Sequence, residues 1–271
     1  MDPTKISVIS NAVDTACFTP DPSQRNPHFI TIVVISRLVY RKGVDLLAGV
    51  IPIICSSHPN VQFIIGGDGP KRVVLEEVIE HHQLQERVTL LGSVNHDDVR
   101  DVLVKGDIFL NSSLTEAFCM AIVEASSCGL QVVSTNVGGI PEVLPSDLVW
   151  LAEPSVGGLV QAVNIAISDK VSGAVVNPFE CHKRIAKYYQ WNDIACRTLT
   201  VYEVATSGPE TSLSSRLHKL LSCGAIFGPL FVIIALIEHL ISFIYSLLVP
   251  FESIDLAEDM FYDVDNGNHD D

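Results

Sequence analysis

Glu116 and Glu124 stand eight positions apart in the stretch SSLTEAFCMAIVEA, residues 112–125. Eight residues are about 2.2 turns of helix, so a helix that starts early brings both carboxylates near one face. If Glu116 instead lies in a loop before the helix, its side chain and the free amides of residues 117–120 face one crevice. Carboxylates there accept from hydroxyls, and helix N-terminal amides hold phosphate. The plainer alternative makes both residues helix caps and surface charges. A second group, Arg37 and Lys42, is five residues apart in SRLVYRKG, just before a helix expected to begin at Val44. A planar fork and a point charge in one loop suit a diphosphate, although cations in such loops are often only solvated. A third stretch, Gly67-Asp68-Gly69-Pro70, permits a tight turn or the close approach of a ligand. It is not a dinucleotide fingerprint, because the last glycine position holds Arg72 and the motif follows the second strand. A nicotinamide dehydrogenase is therefore disfavoured.

These residues sit at the joints of an alternating pattern. Short runs rich in Val and Ile, at 30–36, 61–66, 88–91, 107–111, 131–134 and 148–151, read as strands. Between them, 44–57, 71–83, 96–105, 117–128 and 156–168 have helical length. The order predicts an α/β fold, a Rossmann-like parallel sheet covered on both faces. Two more helices are expected at 178–189 and 191–207, then a polar linker.

Composition narrows the function. Of 271 residues, 32 are acidic and 17 basic, a formal charge of −15, yet mean hydropathy is +0.34. Eight of the carboxylates lie in residues 252–271, which contain no Lys or Arg. No basic stripe exists to neutralise phosphates along a strand, so nucleic acid is not an expected partner. Seven cysteines, without any CxxC pair, suggest neither a disulfide framework nor a zinc site. The N-terminal residues lack the pattern of a signal peptide.

Residues 225–251 carry one formal charge, Glu238. As a helix, 229–249 is about 31 Å long and matches a hydrocarbon core of ~30 Å. Its fourteen Leu, Ile, Val and Phe residues outweigh the single acid: about −4 to −8 kcal/mol against roughly +3. A transmembrane helix is expected, with a buried helix or an interfacial hairpin broken at Glu238–His239 as the alternative. Arg216 and Lys219 precede the run and no Lys or Arg follows it, which predicts a cytosolic N-terminal domain and a lumenal tail.

Taken in order, Arg37…Lys42-Gly43, Gly67-Asp68-Gly69-Pro70, Glu116…Glu124 and Gly138-Gly139-Ile140-Pro141-Glu142 resemble the motifs of retaining GT-B glycosyltransferases of family four. The wording around them is similar to the branch that moves N-acetylglucosamine from UDP-N-acetylglucosamine to phosphatidylinositol, the first step of GPI-anchor synthesis. The resemblance covers about residues 6–206. It implies that Arg37 and Lys42 hold the diphosphate and that Glu116 contacts sugar hydroxyls, these three being the catalytic candidates. It further implies that Glu124 binds the ribose, that Ala117, Phe118, Cys119 and Met120 present amides to the donor, and that Gly67 and Gly69 shape the crevice. Many relatives have Gly where this chain has Ala117 and Cys119. No bound metal or other cofactor is implied; other membrane subunits are, in the endoplasmic reticulum membrane. A GT-B enzyme has two Rossmann-like domains, and the motifs here belong to the second, donor-binding half. The expected organisation is an interdomain lead-in at 1–25, the donor domain at 26–206, a linker at 207–224, a transmembrane segment at 225–251 and an acidic tail at 252–271. Without the acceptor half, the chain alone is expected to bind UDP-sugar weakly and transfer little.

Overall fold

The computed structural model describes residue 3 and residues 6–207 and 212–249. The apolar runs form six parallel strands, β1 (Ile30–Ile35), β2 (Val61–Gly66), β3 (Val88–Gly92), β4 (Ile108–Asn111), β5 (Gln131–Thr135) and β6 (Val149–Ala152), in the order β3-β2-β1-β4-β5-β6. Connecting helices are α1 (Val44–Ser57), α2 (Arg72–His81), α3 (His96–Leu103), α4 (Met120–Ser127) and α5 (Val156–Ser172), followed by α6 (Pro178–Tyr188) and α7 (Trp191–Thr206). Side chains of β1 alternate between two cores. Ile32 and Val34 pack with α1, α2 and α5, whereas Val33 packs with α3, α4 and α6. Burial on both faces is why the central strands β1 and β4 read as nearly unbroken apolar runs rather than as polar and apolar in turn, whereas the edge strands β3 and β6 keep exposed positions.

Two helix boundaries differ from the spacing-based expectation for a common physical reason. α4 begins at Met120, not at residue 117, because Cys119 has φ of 63° and cannot continue a right-handed helix. α2 ends at His81, two residues before Gln83, whose φ of 55° also leaves the helical region. α5 runs on to Ser172 and stops at Gly173 in the left-handed conformation.

The lead-in is tied to the domain: Val13 N donates to Tyr189 O at 3.0 Å, and Ser127 Oγ donates to Phe18 O at 2.7 Å. At the amino end of the sheet, buried Asp107 accepts from Thr31 N at 3.0 Å and pairs with Lys170 at 2.8 Å and Arg25 at 3.8 Å.

The chain divides into two units, Met1–Val204 and Ala205–Asp271. The second contains α8 (Leu213–Leu221) within the stretch read as linker, then α9 (Phe227–Leu248). α9 has 22 residues, runs unbroken through Glu238 and His239, and is long and apolar enough to cross a membrane. The acidic tail lies outside the described residues.

Removing one partner from a buried charge cluster leaves the others uncompensated. Asp107→Ala is expected to destabilise the first unit by about 3 kcal/mol. Denaturant unfolding followed by circular dichroism measures this, and a loss under about 1 kcal/mol would show that the cluster is solvent-screened.

Candidate functional site

Strand order reverses between β1 and β4, which are adjacent although far apart in sequence. The chain leaves β1 toward α1 on one face and leaves β4 toward α4 on the other. A crevice therefore opens at their carboxyl ends, where ligands of such sheets bind. The loop after β1 carries Arg37 and Lys42, and the loop after β4 carries Glu116, so two expected groups meet here by topology.

Hydrogen bonds to backbone carbonyls stitch these loops together. Leu114 N donates to Arg41 O at 2.9 Å, and Ser112 Oγ donates to Lys42 O at 2.9 Å. Gly43 adopts φ of 66° directly against the second loop, where a Cβ would lie 1.8 Å from Ser112 O. Only glycine allows that approach. The stitching brings Lys42 Nζ onto Glu116 Oε1 as an ion pair, with side chains 19% and 14% exposed.

A buried polar ladder stands behind Glu116. Ser113 Oγ lies 2.9 Å from both Glu116 Oε1 and Asn111 Oδ1; Asn111 Nδ2 donates to Ser134 Oγ at 2.9 Å. Ser134 Oγ donates to Thr135 O at 3.1 Å, and Thr135 Oγ1 returns to Ser113 O at 2.5 Å. Sequence reasoning missed this support. Its signal was present: Asn111, Ser113, Ser134 and Thr135 are polar residues at the ends of otherwise apolar strands, and such groups, once buried, must pair. The role of Gly138-Gly139 was also not legible. Gly139 N donates to Glu116 O at 3.1 Å, and a Cβ at Gly138 would lie 2.0 Å from that same oxygen, so the pair buttresses the Glu116 loop from below.

Of the two readings of Glu116, the structure adopts the loop, not the helix. The amides of Ala117, Phe118 and Cys119 have no acceptor among the described residues. Phe118 turns its ring edge-on to Tyr189 at 5.5 Å, and Cys119 and Met120 pack on the core, so this loop offers backbone to the crevice. Burial, with Glu116 nearby, pushes the Cys119 thiol up to about 11, which keeps it neutral and makes it no nucleophile. Cys119 stays in the left-handed region at a cost of roughly 1–2 kcal/mol that glycine would avoid. Arg37 is exposed beside the crevice, without an ion pair among the described residues. Gly67 and Gly69 lie against the Arg37 loop: Leu38 N donates to Asp68 O at 2.8 Å, and Lys71 N to Leu38 O at 2.9 Å. They shape that loop from their own side. A cavity of about 750 Å³ adjoins the far side of the Glu116 loop, lined by Ala117, Phe118, Gly139, Glu142 and Tyr189.

Glu124, half-buried on α4, makes no side-chain hydrogen bond or ion pair among the described residues. Burial holds its carboxyl above the ordinary value, opposed in part by His96. In the range between the unfolded and folded values the folded chain binds more protons, so stability falls as pH rises through it and the cost persists above it. Glu124→Gln is expected to be at least as stable as the parent at pH 7, with the gap closing toward acid. Thermal unfolding at several pH values checks this, and a variant less stable at neutral pH would contradict it.

Residues 19–190 match the family model described as "Glycosyl transferases group 1". The chain is 54% identical over 260 residues to a phosphatidylinositol N-acetylglucosaminyltransferase subunit of Arabidopsis thaliana, covering 96% of this chain and 58% of that protein. The Homo sapiens protein of the same name is 52% identical, with 96% and 54% covered. The chain thus spans little more than half the length of these relatives. The fold is similar to that of Anabaena Alr3699/HepE, solved in complex with UDP-glucose, with a TM-score of 0.62 at 24% identity over 74% of this chain and 57% of that one. Sucrose-phosphate synthase from Thermosynechococcus elongatus gives a TM-score of 0.63 at 22% identity, covering 73% and 52%. With the match to more than half of its residues and the crevice at the strand reversal, the chain belongs to the group 1 glycosyl transferases.

Proposed function

We propose that this chain supplies the UDP-N-acetylglucosamine-binding half of an enzyme that transfers N-acetylglucosamine to phosphatidylinositol, opening GPI-anchor synthesis. The observation that carries the reading is the Lys42–Glu116 pair at the strand reversal, on a loop whose amides at 117–119 have no acceptor among the described residues. The names and identity of the relatives supply the sugar and the acceptor.

In this reading the ion pair is the resting state. A diphosphate entering the crevice takes Lys42, together with Arg37 and the amides of residues 117–119, and releases Glu116 to accept from sugar hydroxyls. Glu124 accepts from the ribose. As the glycosidic bond breaks, negative charge grows on the departing UDP, and cations held in place beforehand lower that barrier without reorganising. Side chains and backbone meet the charge, with no resident metal. α9 anchors the chain in the endoplasmic reticulum membrane. Arg216 and Lys219 on its amino side favour a cytosolic catalytic domain and a lumenal tail, with other membrane subunits completing the enzyme.

Calorimetric titration with UDP-N-acetylglucosamine tests this. Removing a charge-assisted bond to the diphosphate costs about 1.5–3 kcal/mol, so Lys42→Ala is expected to weaken binding roughly 10- to 150-fold, for UDP as well as for the sugar nucleotide. Glu116→Gln is expected to weaken binding of the sugar nucleotide more than of UDP. Absence of binding by the parent chain would favour a scaffold within the complex, and unchanged affinity in Lys42→Ala would refute the assignment.

A further inference from the structure

α8 has a pattern that neither the sheet nor the crevice uses. Its sequence is LSSRLHKLL, with leucines at 213, 217, 220 and 221. At 3.6 residues per turn these form one apolar stripe, and Arg216 and His218 flank it on either side, with Lys219 beyond Arg216. Long cationic side chains beside an apolar stripe can reach outward while their stems cover it. α8 contains no carboxylate, and none of its residues is buried. Arg216 and Lys219 are exposed and make no ion pair among the described residues.

The connection to α9 fixes the depth at which α8 lies. Residues 222–226 turn through Gly224, and Gly228 N donates to Gly224 O at 2.9 Å. Gly228 is buried against the end of α8, where a Cβ would lie 2.5 Å from Leu221 O. α8 is thereby held to the first turn of α9. α9 is about 33 Å long against a hydrocarbon core of ~30 Å, so almost all of it is needed to span, and its first turn lies at the hydrocarbon edge. α8 then sits at the level of the lipid headgroups. In water Leu221 and the uncovered sides of the half-buried Leu213, Leu217 and Leu220 would stay exposed, and in hydrocarbon the cations would lose their solvation. The headgroup layer satisfies both.

We propose that α8 lies on the surface of the membrane that α9 crosses, its leucines among the acyl-chain ends and Arg216 and Lys219 on the phosphates of anionic phospholipids. The proposal rests on α9 as a membrane span. A neutral surface would meet the leucines equally well; the cations, with no carboxylate on the helix, select an anionic one.

The test is amide hydrogen exchange on the full chain in vesicles of phosphatidylcholine alone and in vesicles with about one third phosphatidylserine. Exchange across residues 213–222 is expected to slow roughly tenfold in the anionic vesicles. High salt is expected to erase that difference, as is the double variant Arg216→Gln, Lys219→Gln, while α9 stays protected throughout. Equal exchange of α8 in both vesicles, with α9 protected, overturns the proposal alone. Exchange of α9 without protection in either vesicle overturns the membrane span and the proposal with it.

Discussion

The site depends on how the loops after β1 and β4 are held together. Those loops come from segments about seventy residues apart, and the sheet makes them neighbours only because strand order reverses between them. Two backbone-directed bonds and the close approach of Gly43 to Ser112 then set Lys42 against Glu116. A charge pair this far withdrawn from water adds little net stability, because the cost of desolvating both ions offsets most of their attraction. In the proposed function it matters because each partner holds the other in a conformation from which a diphosphate and a sugar could take them. The buried ladder from Ser113 through Asn111 to Ser134 and Thr135 fixes Glu116 from behind, and Gly138-Gly139 fixes it from below.

That dependence explains what the sequence could and could not disclose. Strands such as β1 were legible because burial on both faces forces a nearly continuous Val and Ile run, ITIVVI with Thr31 alone breaking it. Lys42 and Glu116 could be singled out from sequence, since their residue types and places in the loops suit anions and hydroxyls. Their mutual pairing could not, because it depends on strand order, a property of the assembled sheet. The start of α4 was misplaced by three residues, since nothing in the local pattern reveals that Cys119 takes φ of 63°. The ladder was visible only as an oddity, polar residues ending apolar strands. The helix at Leu213–Leu221 was hidden by its polar flanks, although its leucine spacing is helical.

Two residues of the site stand at odds with local stability. Glu124 keeps a carboxylate half-buried without a hydrogen-bond or ion-pair partner among the described residues, and Cys119 occupies a conformation that glycine would hold more cheaply. For Glu124 this agrees with the proposed ribose contact, since local rules are commonly broken where function requires a group that folding alone would not choose. The surrounding core, with Ile122, Val123 and Ala125 on α4 fully packed, carries the cost. Cys119 faces the opposite direction, into that core, and its side chain has no part in the chemistry proposed.

In the proposed function the Lys42–Glu116 pair is a resting arrangement opened by a nucleotide diphosphate. A crystal structure of the chain with UDP-N-acetylglucosamine tests it most directly. Lys42 Nζ is expected within about 3 Å of a diphosphate oxygen and Glu116 turned to a sugar hydroxyl, with the Ser113 ladder unmoved. An intact Lys42–Glu116 pair, with the nucleotide bound elsewhere on the domain, would contradict it.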